Sequence, residues 1–300
     1  MKRQALPIDD VIPQLRSVLA TGTRAVLQAP PGAGKTTVVP VALADEAWAA
    51  NGRIVMLEPR RLAARAAARR MAAVASERVG ERIGFRVRGE TLVGPATRIE
   101  VVTEGVLTRM LASDPTLDGV AAVIFDEFHE RSLVADTGLA LTLRTAELVR
   151  PDLRLLVMSA TLDGKAISAL LGDAPIISAA GRAYPVETRW IALPARARPL
   201  DGVAAAVRRA FEETDGDVLV FVPGAGEIRR LAATLVAEWP SGNPVIYGLH
   251  GSLPAEMQDA AIAPSPPGSR KVVIATAIAE TSLTIDGVRA VVDSGFARVP

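Results

Sequence analysis

Short β-branched runs alternate with Ala/Leu/Arg-rich stretches along the whole chain. That alternation confines the fold to α/β layers, with parallel sheets covered by helices. The strand-like runs lie at 25–28, 54–57, 99–102, 120–125 and 155–158, and a second series at 218–222, 245–247, 272–275 and 290–292. Helical stretches such as 62–74, 132–149 and 226–238 separate them. A length of 300 residues suits two domains of this kind. Gly181 and Pro185 bracket a break in the pattern, so domain 1 is expected over 1–182 and domain 2 over 183–300. Two further stretches, 193–200 and the Pro-rich 263–269, read as irregular chain and surface loop. Hydrophobic residues make up 49% and aromatics only 4%, so the cores must be built from Ala, Val, Leu and Ile.

Composition excludes several classes of function. There is no cysteine, so disulfides and thiolate zinc sites are out. No apolar signal core opens the chain, and no run of about 18 apolar residues could span a bilayer. A soluble cytoplasmic protein with no membrane partner is the default expectation. A net charge of +1 does not announce a nucleic-acid ligand. The distribution is less bland, because Arg60, Arg61, Arg65, Arg69, Arg70, Arg78, Arg82, Arg86 and Arg88 crowd one stretch that holds only Glu77 and Glu81 as acids. A solvated helix face and a phosphate-gripping face both fit that stretch.

Ala29-Pro30-Pro31-Gly32-Ala33-Gly34-Lys35-Thr36-Thr37 follows a strand-like run and opens a helical one. It fits the phosphate-binding P-loop, with Ala29 in place of the first glycine. Gly32, Ala33 and Gly34 would turn backbone N–H groups toward phosphate oxygens, and the helix N-terminus adds positive charge. Lys35 is expected to reach the β- and γ-phosphates and the Thr36 hydroxyl to ligand Mg²⁺. A Gly/Pro turn without a ligand is the competing reading. The block Pro31-Gly32-Ala33-Gly34 recurs as Pro223-Gly224-Ala225-Gly226 after a strand in the second half. There Glu227 stands where Lys35 stands in the first copy, and a carboxylate repels a triphosphate. One nucleotide site, in the first half, is therefore expected.

Asp126-Glu127-Phe128-His129 follows directly on the apolar run 120–125. An acidic pair at a strand end downstream of a P-loop suits Mg²⁺ retention by Asp126 and water activation by Glu127. An acidic turn capping a helix is the alternative. His129 lies beside the pair and could couple the nucleotide to the second domain; His250 carries a weaker signal. Ser159 and Thr161, after another apolar strand, could report nucleotide state or simply cap a helix, and spacing alone does not decide.

Read in order, these segments resemble the DEAH-box branch of superfamily 2 helicases, and within it the bacterial HrpB-type members. The resemblance covers essentially the whole chain. It rests on Leu57-Glu58-Pro59-Arg60-Arg61-Leu62-Ala63-Ala64-Arg65, Val102-Thr103-Glu104-Gly105, Asp126-Glu127-Phe128-His129-Glu130-Arg131-Ser132, Ser159-Ala160-Thr161 and Ala275-Thr276-Ala277-Ile278-Ala279-Glu280-Thr281-Ser282-Leu283-Thr284-Ile285. The last string is far more specific than a P-loop. Phe128 replaces the Ala of the name-giving motif, as in HrpB-type proteins, and Ala277 stands where Asn is common. The family's Arg-rich motif VI does not occur within 1–300.

The resemblance implies two tandem RecA-like P-loop domains, the second incomplete. It implies an ATP-dependent RNA helicase that moves 3′ to 5′, accepts other NTPs, and works as a monomer. Arg60, Arg61, Thr103 and Glu104 would lie along a single strand of RNA, with DNA not excluded, and Thr276 would touch it from domain 2. Arg70 and Phe296 would stack the nucleotide base. Without motif VI, residues 1–300 are expected to bind Mg-NTP and hydrolyse it poorly. A transporter ATPase or kinase would not need the second half with its motifs. A nucleotide-regulated RNA-binding scaffold without unwinding activity is the other reading kept.

Overall fold

The structure is a computed structural model and describes residues 5–160, 164–181, 185–192, 199–239, 244–280 and 285–297. The chain divides into two compact units, Met1–Tyr184 and Pro185–Pro300. The first is built on an eight-stranded sheet: Arg24–Gln28 (β1), Arg53–Glu58 (β2), Ile83–Val87 (β3), Glu90–Leu92 (β4), Ile99–Thr103 (β5), Val120–Phe125 (β6), Arg154–Ser159 (β7) and Ile176–Ser178 (β8). Their order across the sheet is β4-β3-β5-β2-β6-β7-β1-β8. Every pairing is parallel except β3 with β4, a hairpin closed at Arg88-Gly89. Helices Ile12–Thr21 (α1), Lys35–Ala44 (α2), Arg61–Ala75 (α3), Glu104–Ser113 (α4), Leu133–Leu148 (α5) and Gly164–Leu170 (α6) lie between them.

Alternation along the strands explains how both faces are covered. Leu27, Ile54, Met56, Val101, Ile124 and Met158 point to one face and pack with Leu15, Val39, Leu43, Ala68 and Met71. Val26, Val55, Leu57, Val123, Phe125 and Val157 point to the other and pack with Leu107, Leu111, Leu139 and Leu143. Aliphatic side chains dominate both cores, as the low aromatic content requires.

The second unit has four parallel strands, Asp217–Phe221 (β9), Val245–Leu249 (β10), Lys271–Ala275 (β11) and Val288–Asp293 (β12), ordered β10-β11-β9-β12. Helices Pro199–Glu213 (α7), Ala225–Glu238 (α8) and Ala255–Ile262 (α9) accompany them. Val218, Val220, Val272, Ile274 and Val292 pack there with Val203, Val207, Ile228, Leu231 and Leu235.

Three strands escape the sequence reading. β4 and β8 have only three residues each. β3 lies inside the arginine-rich stretch, which is therefore not one helix face. Its cations are also neutralised by acids brought from elsewhere in the fold: Arg65 pairs with Glu90, Arg82 with Asp45, and Arg86 with the buried Glu100. Glu100 is shared with Arg53.

Candidate nucleotide site

Five loops leave the same edge of the first sheet. Gln28 at the end of β1 is level with Ser159 of β7, Leu57 with Phe125 of β6, and Glu58 with Thr103 of β5. In open α/β sheets the crevice beyond the carboxyl ends of the strands is where ligands bind.

The loop after β1 is an open cradle. Gly32 and Gly34 take φ values of 74° and 97°, which only glycine adopts without strain. A Cβ at Gly34 would also lie 2.8 Å from Leu6 Cδ1. The cradle is braced from behind, because the Ile8 N–H donates to Ala33 O at 3.1 Å. α2 starts at Lys35, so its free N–H groups face the loop. Lys35 is buried, and its Nζ donates to Ala29 O at 3.0 Å. The same Nζ lies 3.7 Å from Glu127 Oε1. Phosphate oxygens entering the cradle would exchange for these contacts. Thr37 follows, half-buried, in the first turn of α2.

The acidic pair closes the other side. Thr36 Oγ1 donates to Asp126 Oδ2 at 2.5 Å, and the Glu127 N–H donates to Asp126 Oδ1 at 2.8 Å. A hydroxyl and a carboxylate oxygen this close are hard donors that fit a magnesium ion completed by phosphates and water. Among the described residues no group of three or more His, Cys, Asp or Glu is arranged to hold a metal ion by itself. Glu127 sits in the left-handed region (φ 48°, ψ 35°), a conformation that costs a non-glycine residue about 1 kcal/mol or more.

Burial governs the protonation of this edge. It pushes the Glu127 carboxyl up to about 7, and Asp126 adds to the rise while Lys35 opposes it. It raises Asp126 as well, against Lys35 and the Thr36 hydrogen bond. His129 is held below its usual value by burial and by Lys35. Neutral His129 is consistent with its contacts: Nδ1 accepts from the Ala160 N–H at 3.4 Å and lies 3.2 Å from Glu127 Oε2. A protonated Glu127 can donate to that nitrogen; an ionised one cannot while Nδ1 is an acceptor.

Glu58 is the residue the sequence reading left without a role. It is 0% exposed, and no donor reaches either carboxyl oxygen. Burial raises it well above the ordinary carboxylate range, with Asp126 and Glu127 adding to the effect. The signal was present: Glu58 follows an apolar strand run just as Asp126 does. A cavity of about 10 Å³, room for one water, is lined by Glu58, Glu104, Asp126, Glu127, Glu130 and Arg131.

The residues expected along a nucleic-acid strand also reach this edge. Arg60 stands at the position before α3, and its guanidinium lies 3.4 Å from the Glu130 carboxylate. Arg61 is exposed on the first turn, and its guanidinium reaches Arg88 O at 3.5 Å. Thr103 precedes α4, and Glu104 accepts from Ser132 Oγ at 2.7 Å. Ser159 ends β7 buried, its carbonyl accepting from the Ala29 N–H at 3.1 Å. Thr161 lies outside the described residues, as do Thr281 to Thr284 of the late motif. Arg70 is exposed on α3. In the second unit, Thr276 follows β11 with its N–H on Leu249 O at 3.1 Å, and Phe296 is 55% exposed.

The second Pro-Gly-Ala-Gly block takes a different backbone. Gly224 is extended (φ −169°), and α8 begins at Ala225, before the block has ended. Glu227 is on that helix, paired with Arg230. The His250 ring meets a near neighbour, with Nδ1 2.9 Å from Ser252 Oγ, and its carbonyl accepts from Gln258 Nε2 at 3.1 Å.

Residues 9–170 match the DEAD/DEAH box helicase family, and residues 202–299 match the helicase conserved C-terminal domain. The chain is similar to the ATP-dependent RNA helicase HrpB of Escherichia coli (strain K12), with 48% identity over 98% of this chain and 36% of that protein. It is also similar to the pre-mRNA-splicing factor ATP-dependent RNA helicase prp22 of Schizosaccharomyces pombe, with 38% identity over 99% of this chain and 26% of that protein. The crystal structure of the Escherichia coli DEAH/RHA helicase HrpB superposes with a TM-score of 0.88 at 48% identity, over 98% of this chain and 37% of that one. The chain thus spans little more than a third of these bacterial relatives. No helix among the described residues is long and apolar enough to cross a membrane.

Proposed function

The chain belongs to the DEAD/DEAH box helicases, and from that premise we propose that it is the motor part of an ATP-dependent RNA helicase that translocates 3′ to 5′ on single-stranded RNA. One observation carries the reading: the cradle, Lys35, the Thr36–Asp126 pair and Glu127 converge at the carboxyl edge of one sheet. Lys35 would leave the Ala29 carbonyl for the β- and γ-phosphates. Thr36 and Asp126 would hold Mg²⁺, which when bound neutralises charge on the phosphates. Ionised Glu127 would orient the attacking water and take its proton. His129 would pass the state of Glu127 to the Ala160 backbone, next to Ser159 and Thr161. Arg60, Arg61, Thr103, Glu104 and Thr276 would line the RNA, gripping backbone rather than bases. Arg70 and Phe296 would stack the nucleotide base, which would let several NTPs serve. The resemblance places the arginine finger in a string that 1–300 does not contain. Arginine fingers contribute about 10³–10⁵ in rate, so residues 1–300 alone should bind Mg-NTP and turn it over slowly.

The test is NTP hydrolysis by the full-length protein with and without single-stranded RNA, beside Glu127→Gln. Strong stimulation that the variant loses is expected. Nucleotide and RNA binding with no turnover would overturn the reading in favour of a nucleotide-regulated RNA-binding scaffold.

A further inference from the structure

The turn after the acidic pair is held at both ends and strained at both ends. Glu127 and Arg131 have φ values of 48° and 46°, and between them Phe128–Glu130 forms one 3-10 turn. The Glu130 N–H donates to Glu127 O at 2.9 Å, so displacing Glu130 displaces the backbone of Glu127. At the far end Ser132 is fixed: its Oγ accepts from the Ala135 N–H at 2.9 Å and donates to Glu104. The segment between these anchors is 127–131, in which Phe128 packs on Phe125 and Arg131 pairs with Asp136. An ion pair of Arg60 with Glu130, 3.4 Å apart and half-buried, ties it to the Leu57–Arg61 segment.

We propose that Glu130 is a positioning residue that carries strand occupancy at Arg60 to Glu127. The proposal rests on the functional reading above, in which Arg60 meets a backbone phosphate. With no strand bound, Arg60 holds Glu130 and the turn keeps Glu127 directed at Lys35 and His129 (3.7 and 3.2 Å). A phosphate competes with the Glu130 carboxylate for one guanidinium, because both are oxyanions that favour the same fork of donors. Once Glu130 is released, the turn relaxes and Glu127 leaves its resting contacts for the attacking water.

The experiment uses the full-length protein and single-stranded homopolymeric RNA as probe, reading hydrolysis without RNA, maximal stimulation, and RNA affinity. Glu130→Gln keeps the shape and weakens the pair. It should raise the RNA-free rate about two- to fivefold, the worth of a partly exposed ion pair, and lower the stimulation ratio by the same factor. It should also tighten RNA binding, since the competitor for Arg60 is weakened. Arg60→Ala should raise the RNA-free rate similarly yet weaken RNA binding, and the double variant should show no further rise. A purely structural role for Glu130 would lower both rates and leave RNA binding unchanged or weaker. Should Glu130→Gln fold poorly, Glu130→Asp, which retains the charge but cannot reach, should show the same signature. A wild-type protein that RNA does not stimulate, or an Arg60→Ala variant with full RNA affinity, sinks the functional reading. Intact stimulation and a weakened Arg60→Ala, with Glu130→Gln and Glu130→Asp behaving as wild type, overturns the role of Glu130 alone.

Discussion

Both units bury charged residues at the ends of parallel strands, but at opposite ends, and the first leaves one carboxyl without a donor. In the first unit Lys35, Glu58 and Asp126 are buried where the strands end, and Glu58 has no donor to either oxygen. In the second unit Asp217 and Lys271 are buried where β9 and β11 begin. Asp217 accepts from the Lys271 N–H at 2.9 Å and from Ser265 Oγ at 2.8 Å. The Lys271 ammonium donates to the carbonyls of Ala261 and Ala263. The amino-edge pair is thus closed by hydrogen bonds, whereas at the carboxyl edge Lys35 and Asp126 have partners and Glu58 has no donor to either oxygen. An open, buried carboxylate cluster costs stability, and folds keep it where a ligand will complete it.

The repeated Pro-Gly-Ala-Gly block offers the sharpest way to break that comparison. Gly34→Ala, at φ 97° and against Leu6, should lower nucleotide affinity about a hundredfold or more, because the cradle must distort. Gly226→Ala meets nothing within 4 Å inside a helix and should leave nucleotide binding untouched while stabilising the protein by about 0.5–1 kcal/mol. Titration with a fluorescent ADP analogue and thermal melting read both; equal effects at the two glycines would end the distinction.

A smaller effect tests the open cluster through pH. In the proposed role Glu127 acts ionised, and its value is raised to about 7, so that form is lost as pH falls through it. The free-enzyme kcat/KM should therefore climb about tenfold per unit below pH 7 and level off above it. A profile already level at pH 5.5 would place Glu127 in the ordinary carboxylate range and remove the premise.

The smallest effects are on stability. Glu58 is raised in the folded state, so folding retains a proton that the unfolded chain releases, and wild-type stability declines as pH rises above the unfolded value. Glu58→Gln removes that decline, so its gain over wild type, about 1–3 kcal/mol at most, should grow from pH 5 to pH 8. Asp217→Ala should instead cost about 1–3 kcal/mol across that range, because it strands the Lys271 N–H and the Ser265 hydroxyl. Chemical denaturation at both pH values separates them, and parallel behaviour would show that the two edges do not differ in kind.

Motifs carried by adjacent residues were readable before the fold was seen. The Gly32–Lys35 cradle, the Asp126-Glu127 pair and the main parallel strands each leave a local signature in spacing or in β-branched runs. Glu58 was readable in principle, since a carboxylate closing an apolar strand is the same signal as Asp126. Arg60–Glu130 and Glu104–Ser132 were not, because their partners are far apart in sequence and each side chain reads locally as an ordinary surface residue. Much of the arginine-rich stretch was unreadable for the same reason: its counter-ions Asp45, Glu90 and Glu100 lie outside it.

The sequence by itself determined the α/β class, the two halves and the glycine loop, because glycine freedom, β-branching and periodicity act over a few residues, and its ordered motifs gave the family by resemblance. Only the tertiary structure decided that one Pro-Gly-Ala-Gly block opens as a cradle while its copy is drawn into a helix, that Glu127 is left-handed, and that Glu58 is sealed beside Asp126. Those outcomes depend on which side chains arrive from distant strands and helices to brace a loop or bury a charge.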